Sequence, residues 1–162
     1  MVFSNLVMSD INELASVHLK CWNETYRGII PDDYLDQMSI ESRVKIWTKV
    51  LGSHGHYCET IRVEGRLVAF LSAGRALEKE GYPDQEIFAL YILKAFQRKN
   101  LGRELCTRLF TTKNCQSVCA WVLRENPSCQ FYERIGGIII DSRQTEMSGK
   151  KFEEVLYRIE KA

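Results

Sequence analysis

Apolar residues recur along this chain with two different periods, and the switch between them separates a helical first third from a strand-rich remainder. Ile11, Leu14, Ala15, Val17, Leu19 and Trp22 follow a 3.6-residue repeat. Ser9-Asp10 precedes them as a cap and Tyr26-Arg27-Gly28 follows as a stop, so one helix is predicted there, after a short strand over residues 2–7. Pro31 stands where a first helical residue is favoured. Tyr34, Leu35 and Met38 carry the apolar stripe toward a further helix over residues 39–50.

Beyond that point the period shortens. Residues 57–63 and 66–77, separated by Glu64-Gly65, read as a hairpin with a two-residue turn. The run Ile87-Phe88-Ala89-Leu90-Tyr91-Ile92-Leu93 is apolar on both faces, which predicts a central strand over residues 86–93 covered on both sides. Leu101, Leu105, Leu109 and Phe110 then mark a helix over 101–113, followed by a strand over 117–123. Pro127 opens a short helix to Ile135, Gly136-Gly137 stops it, and residues 138–147 and 152–159 close the sheet as an antiparallel pair. The expected fold is a mixed α/β (α+β) sandwich in a single domain over residues 1–162.

Composition narrows the function. A chain of 162 residues, 45% apolar and 27% charged, is sized for one domain with a packed core. A formal charge of +1 lacks the basic excess of a nucleic-acid binder. No basic leader followed by an apolar run, and no stretch of about 18 apolar residues, is found, so a cytoplasmic location without a membrane partner is expected. The six cysteines show no C-x-x-C spacing and read as reduced, mostly buried small apolar residues. His54 and His56 lack a third ligand, so no metal is expected.

The segment from Leu90 to Arg103 carries the chemistry. An apolar strand runs through Lys94, Gln97, Arg98, Lys99 and Asn100 into a helix that opens with Leu101-Gly102-Arg103. Amides at a helix start have no internal partner and sit at the positive end of its dipole, so a pyrophosphate fits there. Gly102 lets a ligand approach the backbone, and Lys94, Arg98, Lys99 and Arg103 add positive charge. The same spacing also describes a solvated basic helix cap.

Gln97-Arg98-Lys99-Asn100-Leu101-Gly102 resembles the acetyl-CoA loop of the GNAT superfamily of N-acetyltransferases, Q/R-x-x-G-x-G/A, with Asn100 in place of the first Gly. Asn is the non-Gly residue that best tolerates a left-handed backbone, so the loop shape is expected to survive. Trp121 to Pro127 and Phe131 to Gly137 are similar to the family's following strand and helix. The resemblance implies a mostly antiparallel central sheet flanked by helices on both faces, whose central strands splay apart to admit the pantetheine arm of acetyl-CoA. It assigns Tyr91, Ile92 and Leu93 as the backbone edge for that arm and Asn126 as the residue that orients it. Trp22 to Gly28, followed by Pro31, resembles the acceptor-side segment, with Trp22 and Tyr26 as acceptor contacts.

The resemblance also implies a mechanism in which an amine attacks the thioester directly in a ternary complex. An amine must first lose its proton. Glu86 matches a position where many members carry the base, the plain alternative being a strand-end charge. Tyr132 matches the acid that protonates the departing thiolate and lines the cofactor cleft, the plain alternative being a core aromatic. A strand amide near Ile92 is the expected oxyanion donor. Cys129 is the rival nucleophile, but no His is placed to activate it. The aromatic faces of Trp22, Tyr26, Tyr34 and Trp47 and the negative charge of Glu24, Asp32 and Asp33 suit a cationic amine, whether a small molecule or a peptide. Homodimerisation is left open. An acyl-CoA-binding module without turnover and a transferase for a longer acyl group are the alternatives.

Overall fold

The computed structural model describes residues 1–76 and 79–161. The elements are β1 (Val2–Asn5), α1 (Ile11–Tyr26), α2 (Asp32–Asp36), α3 (Ile40–Leu51), β2 (Tyr57–Val63), β3 (Arg66–Arg75), β4 (Gln85–Ile92), α4 (Leu101–Lys113), β5 (Ser117–Leu123), α5 (Cys129–Arg134), β6 (Ile138–Met147) and β7 (Lys150–Glu160). Strands form a seven-stranded sheet in the order β1-β2-β3-β4-β5-β7-β6. Every neighbouring pair is antiparallel except β4 and β5.

The apolar stripes place the helices. Leu105, Leu109, Ile87, Val118 and Val155 form the core between α4 and one face. Leu14, Trp47, Phe70 and Ala89 form the core that seats α1 and α3 on the other. Arg62 in β2 anchors the start of α1, donating to Glu13 at 2.7 Å and Asp10 at 2.8 Å, while Glu13 also accepts the Leu67 amide at 2.8 Å. Across the sheet Arg108 of α4 donates to the buried Glu59 of β2 at 2.7 Å. Breaking the Arg108–Glu59 pair leaves a buried carboxylate, so α4 is fixed by charge as well as by apolar contact.

Several boundaries differ from the sequence reading. The first strand ends at Asn5 rather than residue 7, because Met8–Asp10 already turn as a 3-10 helix into α1. Asp10 does not cap α1 with its side chain; it accepts the Val7 amide and pairs with Arg62 instead. Pro31 is the residue before α2 rather than its first turn, since its ψ of 136° is extended. Ser39 caps α3 by accepting the Ser42 amide at 3.1 Å. The helix expected over 127–135 is shorter, Cys129–Arg134. The predicted end of the third strand, Leu77, lies outside the described residues.

Coverage of β4 on both faces is the larger correction. A bulge opposite Ser72/Ala73 puts Phe88 out of step with β3, and the residue is 46% exposed. It lies against His56, with ring centroids 5.4 Å apart. Gly74 makes room for it, because a Cβ there would come within 2.9 Å of the ring. Of the cysteines, Cys21, Cys106 and Cys119 are buried and the other three half-buried, all as free thiols.

Candidate active site

The parallel neighbours β4 and β5 share a single register pair, Glu86↔Cys119, among the described residues. Past it β5 stays paired with β7 as far as Leu123↔Glu154, while β4 stays on β3, so a gap opens toward Ile92 and Leu123. The Leu93 amide donates to Val68 at 3.0 Å. Alternate residues of an antiparallel strand bond the same neighbour, so the amides of Leu90 and Ile92 face the gap. Tyr91 and Leu93 do not offer their amides to this edge: the Tyr91 amide faces β3 by the same alternation, the Leu93 amide bonds Val68, and the Leu93 carbonyl accepts the Phe96 amide at 2.8 Å. Leu90, which the sequence reading passed over, takes their place, because backbone direction leaves no mark on side-chain identity.

After β4 the chain makes a 3-10 turn, Lys94–Phe96, and enters the basic loop. The Gln97 side chain donates to the Ile92 carbonyl at 3.0 Å and ties the loop back to the strand. Arg98 and Asn100 both have left-handed backbones, φ 59° and 62°. The left-handed shape expected of Asn100 is present, and its side chain makes no cap bond to α4. The first amide of α4 to find a backbone acceptor is that of Glu104, which donates to the Asn100 carbonyl at 3.0 Å. The preceding amides of Leu101, Gly102 and Arg103 are left at the positive end of the helix, the geometry that holds an anion. Lys99 sits over the Phe96 ring at 5.1 Å, and Arg103 donates to the Arg134 carbonyl at 3.4 Å.

Gly102 has a different role from the one its position suggested. It is buried, and a Cβ would stand 2.9 Å and 3.0 Å from the Phe131 ring and 3.5 Å from Ile92 Cδ1. Its missing side chain therefore admits α5 against α4, rather than a ligand.

Four expected site residues meet at the open end of the gap. Asn126, buried beyond β5, donates to the Tyr26 phenol at 3.0 Å and accepts the Ser128 amide at 2.8 Å. Both ends of its side chain are thus engaged in linking α1 to α5, with one N–H left over. Tyr91 is raised well above the ordinary phenol range by burial and then by Tyr26, and Tyr132 also borders it. Tyr132 is 6% exposed, stacked on Tyr157 with centroids 5.5 Å apart. Its phenol has no hydrogen-bond partner among the described residues, although a buried tyrosine hydroxyl normally finds one. Burial pushes its ionisation upward, followed by the influence of Cys106, Tyr26 and Cys129, so it keeps its proton.

Glu86 stands apart from this group, six residues before Ile92, or roughly 20 Å of strand. It is half-buried, and burial raises its carboxyl above the ordinary value, with Arg143 lowering it and Glu154 raising it. Cys129 donates to the Leu123 carbonyl at 3.4 Å, and burial raises its thiol, so it is no ready nucleophile.

On the acceptor side Trp22 lies against Tyr26 with centroids 4.6 Å apart. Trp47 donates to His18 Nδ1 at 3.0 Å, which makes it a core residue. Burial, and then the Arg43 charge, pulls His18 down to about 3. Two of the three negative charges proposed for this side are engaged, since Glu24 accepts the Lys94 amide at 2.9 Å and Asp32 pairs with Arg27 at 3.0 Å, while Asp33 stays exposed. Arg43 stacks over Trp22 at 5.6 Å and was missed in the sequence. Its position four residues before Trp47, on the same face of α3, was the available signal. No helix among the described residues is long and apolar enough to cross a membrane.

Comparisons with known proteins agree with this architecture. Residues 14–137 match the acetyltransferase (GNAT) family. The uncharacterized N-acetyltransferase YuaI of Bacillus subtilis is 31% identical over 152 residues, 91% of this chain and 86% of that protein. Among solved structures, the PaiA N-acetyltransferase of Thermoplasma acidophilum in complex with coenzyme A superposes with a TM-score of 0.74 at 18% identity, over 99% of each chain. Arabidopsis thaliana NAA60 in complex with a bisubstrate analogue does so with a TM-score of 0.70 at 17% identity, over 98% of this chain and 97% of that one. With the family match spanning most of its length, and with a sheet parted between β4 and β5 above an amide-rich helix start, this chain belongs to the GNAT family of acetyltransferases and is an acyltransferase.

Proposed function

We propose that the protein transfers an acetyl group from acetyl-CoA to a primary amine, by direct attack with both substrates bound. The observation that carries this reading is the gap after the single Glu86↔Cys119 pair, with unpaired amides on one strand and the open start of α4 beside it. The fit is chemical. An extended arm of amide groups suits the Leu90 and Ile92 amides, as an added strand would. The Arg98–Arg103 turn suits a pyrophosphate. Acetyl-CoA supplies an activated acyl thioester.

The chain's own groups then have defined tasks. Of the Leu90 and Ile92 amides, that of Ile92 stabilises developing negative charge on the acyl oxygen, and that of Leu90 holds the arm. Tyr132, protonated and without a competing partner, donates a proton to the departing sulfur. Glu86 draws the amine's proton away through water, because its place on β4 is too distant for direct contact. The engaged state of Cys129 favours direct transfer over an acyl-enzyme.

Calorimetry with acetyl-CoA and a thiol-release assay across an amine panel test the proposal together. One-to-one binding is expected, and Arg98→Gly, which keeps the left-handed backbone, is expected to weaken it about tenfold or more through loss of a charge-assisted contact. Absence of binding at millimolar acetyl-CoA would sink the reading. Binding without thiol release for any amine would leave a binding module in its place.

A further inference from the structure

A second carboxylate shares the sheet face of Glu86 and stands closer to the open end of the gap. Glu154 of β7 lies directly opposite Leu123, where β5 ends, whereas Glu86 lies opposite Cys119, where the gap begins. Four residues of strand separate those two levels, or roughly 13 Å. Directly opposed residues share a face of a sheet, and so do residues an even number apart on one strand, which puts Glu154, Leu123, Cys119 and Glu86 together. That face is the acceptor side, because Leu123 packs with Tyr26, Ile30 and Leu35. The Glu154 charge reaches along it in both directions: after burial, it adds to the rise of the Tyr26 phenol and of the Glu86 carboxyl. Arg143 of β6 orients this carboxylate. Its Nε donates to Oε2 at 2.6 Å, while its guanidinium lies over the Trp121 ring at 4.1 Å. The other oxygen, Oε1, receives no hydrogen bond among the described residues, although the side chain is only 18% exposed. A carboxylate accepts up to about four bonds, so Oε1 is open to a donor that arrives from outside.

We infer that Glu154 receives the acceptor's ammonium group at the mouth of the gap, with Arg143 holding the carboxylate in place from the Trp121 ring. The assignment rests on the proposed acetyl transfer and adds to it a residue that selects a cationic acceptor. An ammonium carries three donors and no acceptor, which suits a carboxylate oxygen without a partner. Glu86 keeps its separate task as the deeper carboxylate toward which the proton leaves through water. Arg143 has two opposed effects: it orients Glu154, and its own charge repels a second cation nearby. A bridge that merely fastened β6 to β7 would contain no such opposition, since losing either partner would have the same consequence.

The test uses primary alkylamines, aralkylamines and amino-acid amides, each with the alcohol of the same shape as an uncharged control. Thiol release from acetyl-CoA gives kcat and KM for the amines, and calorimetry on the CoA-loaded protein gives the affinity of each amine and its alcohol. Glu154→Gln is expected to raise KM for the best amine about tenfold or more, with a smaller fall in kcat, and to erase the preference for amine over alcohol. CoA affinity should not move. Arg143→Gln should act in the opposite direction, lowering KM severalfold by removing the competing charge. The same direction of change in both variants, or an unchanged KM in Glu154→Gln, would overturn the inference. A wild type that binds amine and alcohol equally would overturn it as well. Failure of the underlying acetyl transfer looks different: no amine releases thiol, yet the amine-over-alcohol preference persists in binding and is lost in Glu154→Gln.

Discussion

Replacing Tyr132 by Phe separates chemistry from packing more cleanly than any other change in this site. The phenol makes no hydrogen bond among the described residues, so its removal leaves no buried partner unsatisfied. The ring keeps its stack on Tyr157 at 5.5 Å and its edge contact with Phe131 at 5.2 Å. Stability should therefore change by no more than about 0.5 kcal/mol. The catalytic cost is much larger, because a positioned acid contributes about 10² to 10⁴ in rate, or roughly 3 to 5 kcal/mol of barrier. The measurements are kcat by thiol release with the best acceptor, the CoA binding constant by calorimetry, and the thermal midpoint of both proteins. A fall in kcat with binding and melting unchanged is expected. An unchanged kcat would remove Tyr132 from the mechanism, and a joint loss of melting temperature and affinity would make it a core aromatic. The wild type offers a second check. Because Tyr132 acts when protonated and burial raises its pKa, its ionisation should not produce a fall in kcat near pH 10.

Glu86 acts when ionised and burial raises its carboxyl, so kcat/KM should rise with pH through a value above the usual ~4.3, and the limb should vanish in Glu86→Gln; a limb that survives would place the base elsewhere. Gly102→Ala pushes a methyl to within 3.0 Å of the Phe131 ring. Overpacking of about 1 to 3 kcal/mol, offset by roughly 1 for the better helix former, should lower the melting temperature by up to a few degrees, with Phe131→Leu restoring it. An unchanged midpoint in Gly102→Ala alone would mean that α5 yields without cost. At Asn100, with φ 62°, Gly should retain acetyl-CoA affinity in calorimetry, whereas the β-branched Val, which resists that backbone, should lose it. A large loss with Gly would instead show that the Asn100 side chain holds the ligand.

The sequence by itself determined what local rules decide. Periods of 3.6 and 2 located the helices and strands to within a few residues, and the run from Gln97 to Gly102 marked the basic turn, including the left-handed backbone at Asn100. These are properties of neighbouring residues, written in side-chain size, polarity and tolerance of φ. Tertiary structure alone decided the rest. It inserted β7 between β5 and β6 and parted β4 from β5 after one register pair. It turned the Leu90 amide toward the gap while engaging Leu93, which only strand pairing can do. It gave the space at Gly102 to Phe131, 29 positions away by number. It also engaged Glu24 and Asp32 while leaving Asp33 exposed, and it laid Arg43 over the Trp22 ring. The reason is common to all of these: whether a donor, a charge or an empty volume is available depends on what distant segments bring against it, and pairing across the fold is not a property of any one stretch of chain.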